Sequence, residues 1–280
     1  MNISVLASQL CNSKKPSINK IGEGFCNEIF EIDNRYLLKV VKPDLPKDHY
    51  ELNTLTVEAS IIKNLQELQS SLPLPKVLAI SEEHEAYVYQ KVEGVTLEEY
   101  VKGKDPMRYV DFLVDTITNI ANLSEALATT IPLHLDTSTD WKWYDNRYNE
   151  MKAYISTDEE KNCRQVFEAF IASKKVERTP YAIHNDLHGG NIIVDPSSGD
   201  VRGIIDFGDF CMADMHKEIW NTAKIAPELA LAVGDALISR GFPLDPVFIK
   251  QCATTSALFE HRSKQSFQAK FAHLRSLGLV

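Results

Sequence analysis

The stretch HNDLHGGNIIVDPSSGDVRGIIDFGD, from His184 to Asp209, sets charged and apolar residues in an order that decides how the chain is read. Two histidines and five aspartates surround two short apolar runs, NIIVD and VRGIID, joined by PSSG. Gly, Pro and Ser favour a chain reversal, so the runs are expected to form a β-hairpin. The hairpin returns Asp206-Phe207-Gly208 towards the residues that precede its first strand, His184, Asp186 and Asn191.

Outward from the hairpin the pattern changes twice. Residues 20–42 read as strands: NEIFEI alternates, Asp33-Asn34 supplies a turn, and RYLLKVV follows. Residues 51–69 place Leu55, Ile62 and Leu65 on one face of a helix. PLPKVLAI and EAYVYQKV read as two further strands around SEEH, and Glu93-Gly94 breaks the run. Helices are expected at 105–130, 143–156 and 159–173, and after the hairpin at 216–232, 233–240 and 245–265. The fold class is therefore α+β, in two lobes. Residues 1–92 form an antiparallel-sheet lobe with one helix, and residues 93–280 form a mostly helical lobe that contains the hairpin.

Composition bounds the partners. The chain has 280 residues, 44% apolar and 25% charged, as a soluble globular protein does. A net charge of −9 argues against a nucleic-acid partner and suits a cationic ligand, although acidity also serves solubility. The five cysteines show no CxxC pair, which points away from a disulfide framework or zinc ribbon and towards the cytoplasm. MNISVLASQL lacks the features of a signal peptide, and no apolar run reaches the ~18 residues of a membrane span. A monomer is expected, with no membrane partner.

The hairpin's flanks carry the chemistry. His184-x-Asp186-Leu187-x-x-x-Asn191 matches the catalytic-loop pattern of kinases, with Asn185 in place of the arginine. Asp206-Phe207-Gly208 stands where the metal-binding DFG triplet belongs. Four fixed residues recur by chance in roughly one such chain in a thousand, and the added triplet makes coincidence remote. Phosphoryl transfer needs in-line positioning and neutralised charge. Asp186 would hold the acceptor hydroxyl and take its proton, while Asn191 and Asp206 would reach Mg²⁺ from two sides. His184 reads as a structural hydrogen-bonding residue. The spacing of His184 and His188 also fits the zinc motif HExxH, but Asn185 replaces its glutamate and Gly189-Gly190 would weaken the helix it needs.

A kinase reading makes demands on the first lobe. Gly22-Glu23-Gly24 lies between strand candidates, where a loop over phosphates belongs. Lys39 shares a strand face with Leu37 and Val41, and Glu58 lies between Leu55 and Ile62 at helical spacing. Buried charges need partners, so Lys39 and Glu58 are expected to pair; the other reading is that both snorkel to solvent. Lys42, on the opposite strand face, is the weaker candidate.

With these residues in place, the chain resembles the aminoglycoside phosphotransferase and choline kinase group, the small-molecule branch of the protein-kinase-like fold. GEGFCNEIFEI resembles that group's glycine loop, with Asn27 in place of a third glycine, and HNDLHGGNIIVD and GIIDFGD resemble its catalytic and metal motifs. The resemblance runs from about Ile21 to about Trp220. It implies a two-lobed protein-kinase-like fold that uses Mg²⁺ and the γ-phosphate of ATP or GTP. It also implies a hinge at Gln90 to Val92, His188 and Asp209 near the acceptor or the transferring phosphate, and a structural Asp214. Only 74 residues follow Asp206, few for the activation segment and larger helical lobe that a peptide substrate needs, which disfavours a protein substrate.

The expected partner is therefore a small-molecule hydroxyl acceptor, foremost an aminoglycoside-type antibiotic. A metabolic acceptor such as choline, homoserine or a sugar is the alternative. A catalytically silent kinase-like binding protein is the reading from another class. Trp141, Trp143, Tyr144 and Tyr148 either line the acceptor pocket or pack as core. Asp136, Asp140, Asp145 and Glu150 suit a polyamine or a solvated helix equally.

Overall fold

The structure is a computed structural model that describes residues 2–24, 26–43, 53–69, 71–136, 141–260 and 263–280. Asp140, the side chain of Trp141 and the first two residues of the helix expected at 51–69 lie outside the described residues. Contacts divide the chain into two compact units. One comprises Met1–Tyr100, Leu123–His134 and Gly190–Cys211; the other comprises Val101–Asn122, Leu135–Gly189 and Met212–Val280.

The first unit opens with helix α1 (Ile3–Leu10), whose end is capped by Asn2 accepting the Ser4 N–H at 3.0 Å. Strands β1 (Ile18–Glu23), β2 (Asn27–Ile32) and β3 (Tyr36–Val41) follow, then helix α2 (Leu55–Leu68), β4 (Val77–Ser81) and β5 (Ala86–Gln90). They form one antiparallel sheet in the order β1-β2-β3-β5-β4. Asp33 and Asn34 turn the chain between β2 and β3 with φ of 52° and 53°, a left-handed geometry that Asp and Asn tolerate well. β3 is covered on both faces. Leu38 and Val40 pack with Leu6 and Ala7 of α1 and with Ile32, Ala86 and Val88. Each of the buried Leu, Ile and Val side chains contributes about 1.5–3 kcal/mol of burial. Lys39 points the other way, to α2.

β6 (Val95–Thr96) leads into the short α3 (Leu97–Tyr100). In chain order, α4 (Val110–Asn122) belongs to the second unit and α5 (Ser124–Thr130) to the first. The expected helix at 105–130 is thus a 3₁₀ turn and two helices, broken at Leu123.

In the second unit α6 (Trp141–Lys152) and α7 (Thr157–Lys174) follow; Ser156 and Glu159 form a capping box that starts α7. β7 (Tyr181–Ile183) then precedes the hairpin.

The hairpin is present as β8 (Ile192–Val194) and β9 (Val201–Ile204), with β6 paired to β8. Its turn needs Gly199: φ is +76°, and a Cβ there would lie 2.5 Å from the Tyr100 ring.

β10 (Cys211–Ala213) pairs with β7, and the remainder is helical: α8 (His216–Ala223), α9 (Pro227–Ser239), α10 (Pro246–Phe259) and α11 (Lys264–Ser276). The helix expected at 216–232 breaks at Lys224 to Ala226, because Pro227 cannot continue it and instead begins α9. α11 runs beyond the helix expected at 245–265. It starts at Ser263 and sends Phe267, Phe271 and Leu274 into a core with Tyr148, Met151, Cys163 and Phe167.

Candidate active site

The sheet, α2 and the hairpin of the first unit converge on one buried charge cluster. Lys39 is 3% exposed and Glu58 is 0% exposed. The Lys39 ammonium donates to Glu58 Oε1 and Oε2 at 3.1 and 2.9 Å and to Asp206 Oδ1 at 2.7 Å. Glu58 also accepts from the Tyr87 hydroxyl at 3.0 Å and from the Phe207 N–H at 3.1 Å. Burial pushes the Glu58 carboxyl above its usual range, Lys39 opposes that, and Asp206 adds to it. Four donor contacts on one carboxylate explain why a charge is tolerated here.

The DFG residues are held on their other side by Asn53, which donates from Nδ2 to the carbonyls of Gly208 at 3.0 Å and Phe210 at 2.8 Å. Asp206 has φ of +67° and stays 44% exposed at its side chain, so an anchored turn presents an accessible carboxylate. Asn191 lies beside it. Ile192 pairs with Ile204, and the Ile205 N–H donates to the Asn191 carbonyl at 3.0 Å, which puts both residues at one end of the hairpin. An amide and a carboxylate fit Mg²⁺, which takes few protein oxygens and keeps waters or phosphates.

The other first-unit residues occupy the sheet's margin. Gly22 sits beside a register shift in β1, and the Gly24 N–H donates to the Asn27 carbonyl at 2.9 Å. A Cβ on Gly24 would lie 3.0 Å from Asn27 Oδ1, so the loop closes tightly over that side chain. At the end of β5 the amides of Gln90 and Lys91 are taken by the carbonyls of Lys76 and Arg35, and Val92 rests against Gly203. Asp209 is half-buried in the turn between Phe207 and Phe210.

The second unit holds Asp186. His184 is fully buried, and its Nδ1 accepts the Asp186 N–H at 3.3 Å. His188 Nε2 lies 3.4 Å from Asp186 Oδ2, and Lys224 Nζ lies 3.4 Å from Oδ1. Burial pushes the Asp186 carboxyl up, but the His188 hydrogen bond and the His188 and Lys224 charges outweigh it and hold it at about 2.

Sequence reasoning missed what carries this loop. Glu218 of α8 accepts the Asn185 N–H at 3.1 Å and Asn221 donates to the Asn185 carbonyl at 2.7 Å. Between them they fix Asn185 at a φ of +67°. Burial pushes the Glu218 carboxyl up to about 7, against the backbone N–H groups of Asn185 and His184. No motif marks Glu218, because its partner is 33 residues away.

A cavity of about 910 Å³ opens beside Asp186 within the same unit. Of the aromatic group, Trp143 and Tyr144 line it. Tyr148 is instead core, stacked on Phe167 at 4.8 Å. Asp136 lines the cavity bound to Lys217, and Asp214 is held by His216 at 2.7 Å and Arg178 at 3.4 Å. Asp145 and Glu150 do not line it.

Comparison with known proteins places this architecture. The ADP-bound aminoglycoside phosphotransferase APH(2'')-Ib is 15% identical, with a TM-score of 0.57 over 98% of this chain and 97% of that one. The GDP and kanamycin complex of APH(2")-IIia is 14% identical, with a TM-score of 0.59 over 98% and 97%. Macrolide 2'-phosphotransferase MphH from Brachybacterium faecium is 14% identical, with a TM-score of 0.61 over 97% and 96%. These likenesses establish the kinase-like α+β fold of that group. A search of curated proteins gives no match. The family described as phosphotransferase enzyme family matches residues 17–245, most of the sequence, and the chain belongs to it.

Proposed function

We propose that the protein transfers the γ-phosphate of ATP or GTP to a hydroxyl of a small molecule, with Asp186 as general base. The observation that carries this is the Lys39 ammonium, buried yet shared between Glu58 and the half-exposed Asp206. A cation fixed in this way is pre-organised for nucleotide phosphates. Residues 1–92 act as the nucleotide lobe and residues 93–280 as the catalytic and acceptor lobe. Gly22 and Gly24 let the backbone approach the phosphates, and Gln90 to Val92 face the nucleobase. Asn191 and Asp206 hold Mg²⁺, which neutralises charge on the phosphates when bound. His188 and Asp209 lie towards the acceptor or the transferred group, and His184 holds the loop.

In the step itself, the acceptor oxygen forms a bond to the γ-phosphorus as the bond to the bridging oxygen breaks. The nucleoside diphosphate leaves, and the hydroxyl proton passes to Asp186. A carboxylate held near 2 is a weak base. A loose transition state needs little basicity and mainly an oriented acceptor.

Structural neighbours were solved as kanamycin, gentamicin and streptomycin complexes, which makes an aminoglycoside the first acceptor to try. The cavity favours a second reading, a metabolic acceptor such as homoserine or a sugar, because its half-buried carboxylates are already paired with cations of this chain. The test is mass spectrometry of a pooled panel of aminoglycosides, macrolides, choline, homoserine and sugars, incubated with Mg²⁺ and ATP or GTP. A phosphate gained by one member and absent with Asp186→Asn supports the reading. Nucleotide binding with no transfer and no Asp186-dependent hydrolysis supports the silent binding protein instead.

A further inference from the structure

The cavity beside Asp186 has an uneven charge plan. Three of its four acids are paired, Asp136 with Lys217, Asp214 with His216 and Arg178, and Asp186 with His188 and Lys224, and the fourth, Glu177, is exposed. A polyamine would have to displace these internal cations to reach any of the three half-buried carboxylates, which leaves charges unpaired in a partly dry site.

Among the described residues, one cation on the wall lacks such a partner. Lys174, in the last turn of α7, makes no hydrogen bond or ion pair with any described residue. Its ammonium lies 5.5 Å from the centre of the Tyr144 ring. Burial lowers its pKa, and the nearby charges of Cys252 and Asp214 only partly restore it. A half-buried ammonium over an aromatic ring is a receptor for an anion, which would supply the missing hydrogen bonds and charge.

Around it the wall is aromatic. Trp143 is 45% exposed and meets Tyr144 edge-on at 5.0 Å and Trp220 at 6.5 Å. Such a shelf takes a flat or apolar body by ring contact.

We propose that the acceptor is a hydroxy compound with a single anionic group, of carboxylate type, paired with Lys174, and an apolar or aromatic body on Trp143, Tyr144 and Trp220. This rests on the reading that Asp186 faces the acceptor. One ammonium without a partner among the described residues matches one negative charge, which favours a carboxylate over a dianionic phosphate ester.

Trp143 and Trp220 make the test direct, because ligands on the shelf should quench tryptophan fluorescence without any turnover. The full chain is titrated with 3-hydroxy-3-phenylpropanoate, its amide, 3-amino-1-phenylpropan-1-ol, kanamycin and glucose 6-phosphate. The carboxylate should bind about 10-fold or more tighter than the amide, and the two amines weaker still. Lys174→Met should remove about 10-fold or more of the carboxylate's affinity, and Lys174→Arg should restore most of it. Tightest binding by either amine, equal carboxylate affinity in the wild type and Lys174→Met, or no detectable carboxylate binding each overturns the proposal. Tightest binding by glucose 6-phosphate overturns the single-charge assignment. Failure of the phosphotransfer reading would show separately, as nucleotide hydrolysis unaffected by Asp186→Asn.

Discussion

Replacing Glu218 with Gln should change how stability depends on pH, and the size of the effect follows from its burial. The side chain is 1% exposed, and its carboxyl is pushed up to about 7 from an ordinary 4.5. Between those values the folded state keeps the proton and the unfolded state gives it up. The folded state then binds more protons, so stability falls as pH rises through this window. Each pH unit is worth about 1.4 kcal/mol, so the loss from pH 4.5 to above 7 is on the order of 3 kcal/mol. That is a large share of a stability of about 5–15 kcal/mol. Glutamine keeps an acceptor for the Asn185 N–H but has no proton to lose. Urea denaturation of wild type and Glu218→Gln at pH 5 and pH 8 isolates the effect. The wild type should lose about 3 kcal/mol relative to the variant on going to pH 8. Parallel pH dependence in the two proteins would refute the reasoning, because Glu218 would then titrate alike folded and unfolded.

Asp206→Ala removes a carboxylate from Lys39 and from the proposed Mg²⁺ site. Calorimetry should show Mg²⁺-nucleotide affinity falling about 10-fold or more, with the sheet's circular dichroism intact. His188→Ala leaves burial opposed mainly by Lys224, so the Asp186 carboxyl should rise from about 2. The acid limb of kcat/KM should move to higher pH, and an unmoved limb would count against the His188 contact. Gly199→Ala places a Cβ at a φ of +76° and against Tyr100, and should cost about 1–2 kcal/mol in thermal unfolding with little effect on nucleotide affinity.

The parts legible in the sequence were those whose chemistry fixes a residue type at short spacing. The hairpin could be read because β8 and β9 are apolar runs with turn residues between them. Glu58 could be matched to Lys39 because helical phase put it between Leu55 and Ile62, and a buried acid requires a cation. What stayed hidden depends on tertiary contact. α1 is one short helix whose Leu6 and Ala7 acquire meaning only against Leu38 and Val40. Phase along α6, which sets Tyr144 on the cavity and Tyr148 in the core, is decided by helices α7 and α10 that no local window contains. Glu218 and Lys174 are ordinary helix residues until the fold buries one and sets the other over the Tyr144 ring with no ion pair among the described residues.

The most direct test of phosphoryl transfer by Asp186 measures two quantities on two proteins: affinity for Mg²⁺-ATP or Mg²⁺-GTP, and release or transfer of a labelled γ-phosphate. The account predicts that Asp186→Asn binds nucleotide within about 3-fold of wild type and loses turnover by about 10²–10⁴-fold. Turnover retained by Asp186→Asn would contradict it.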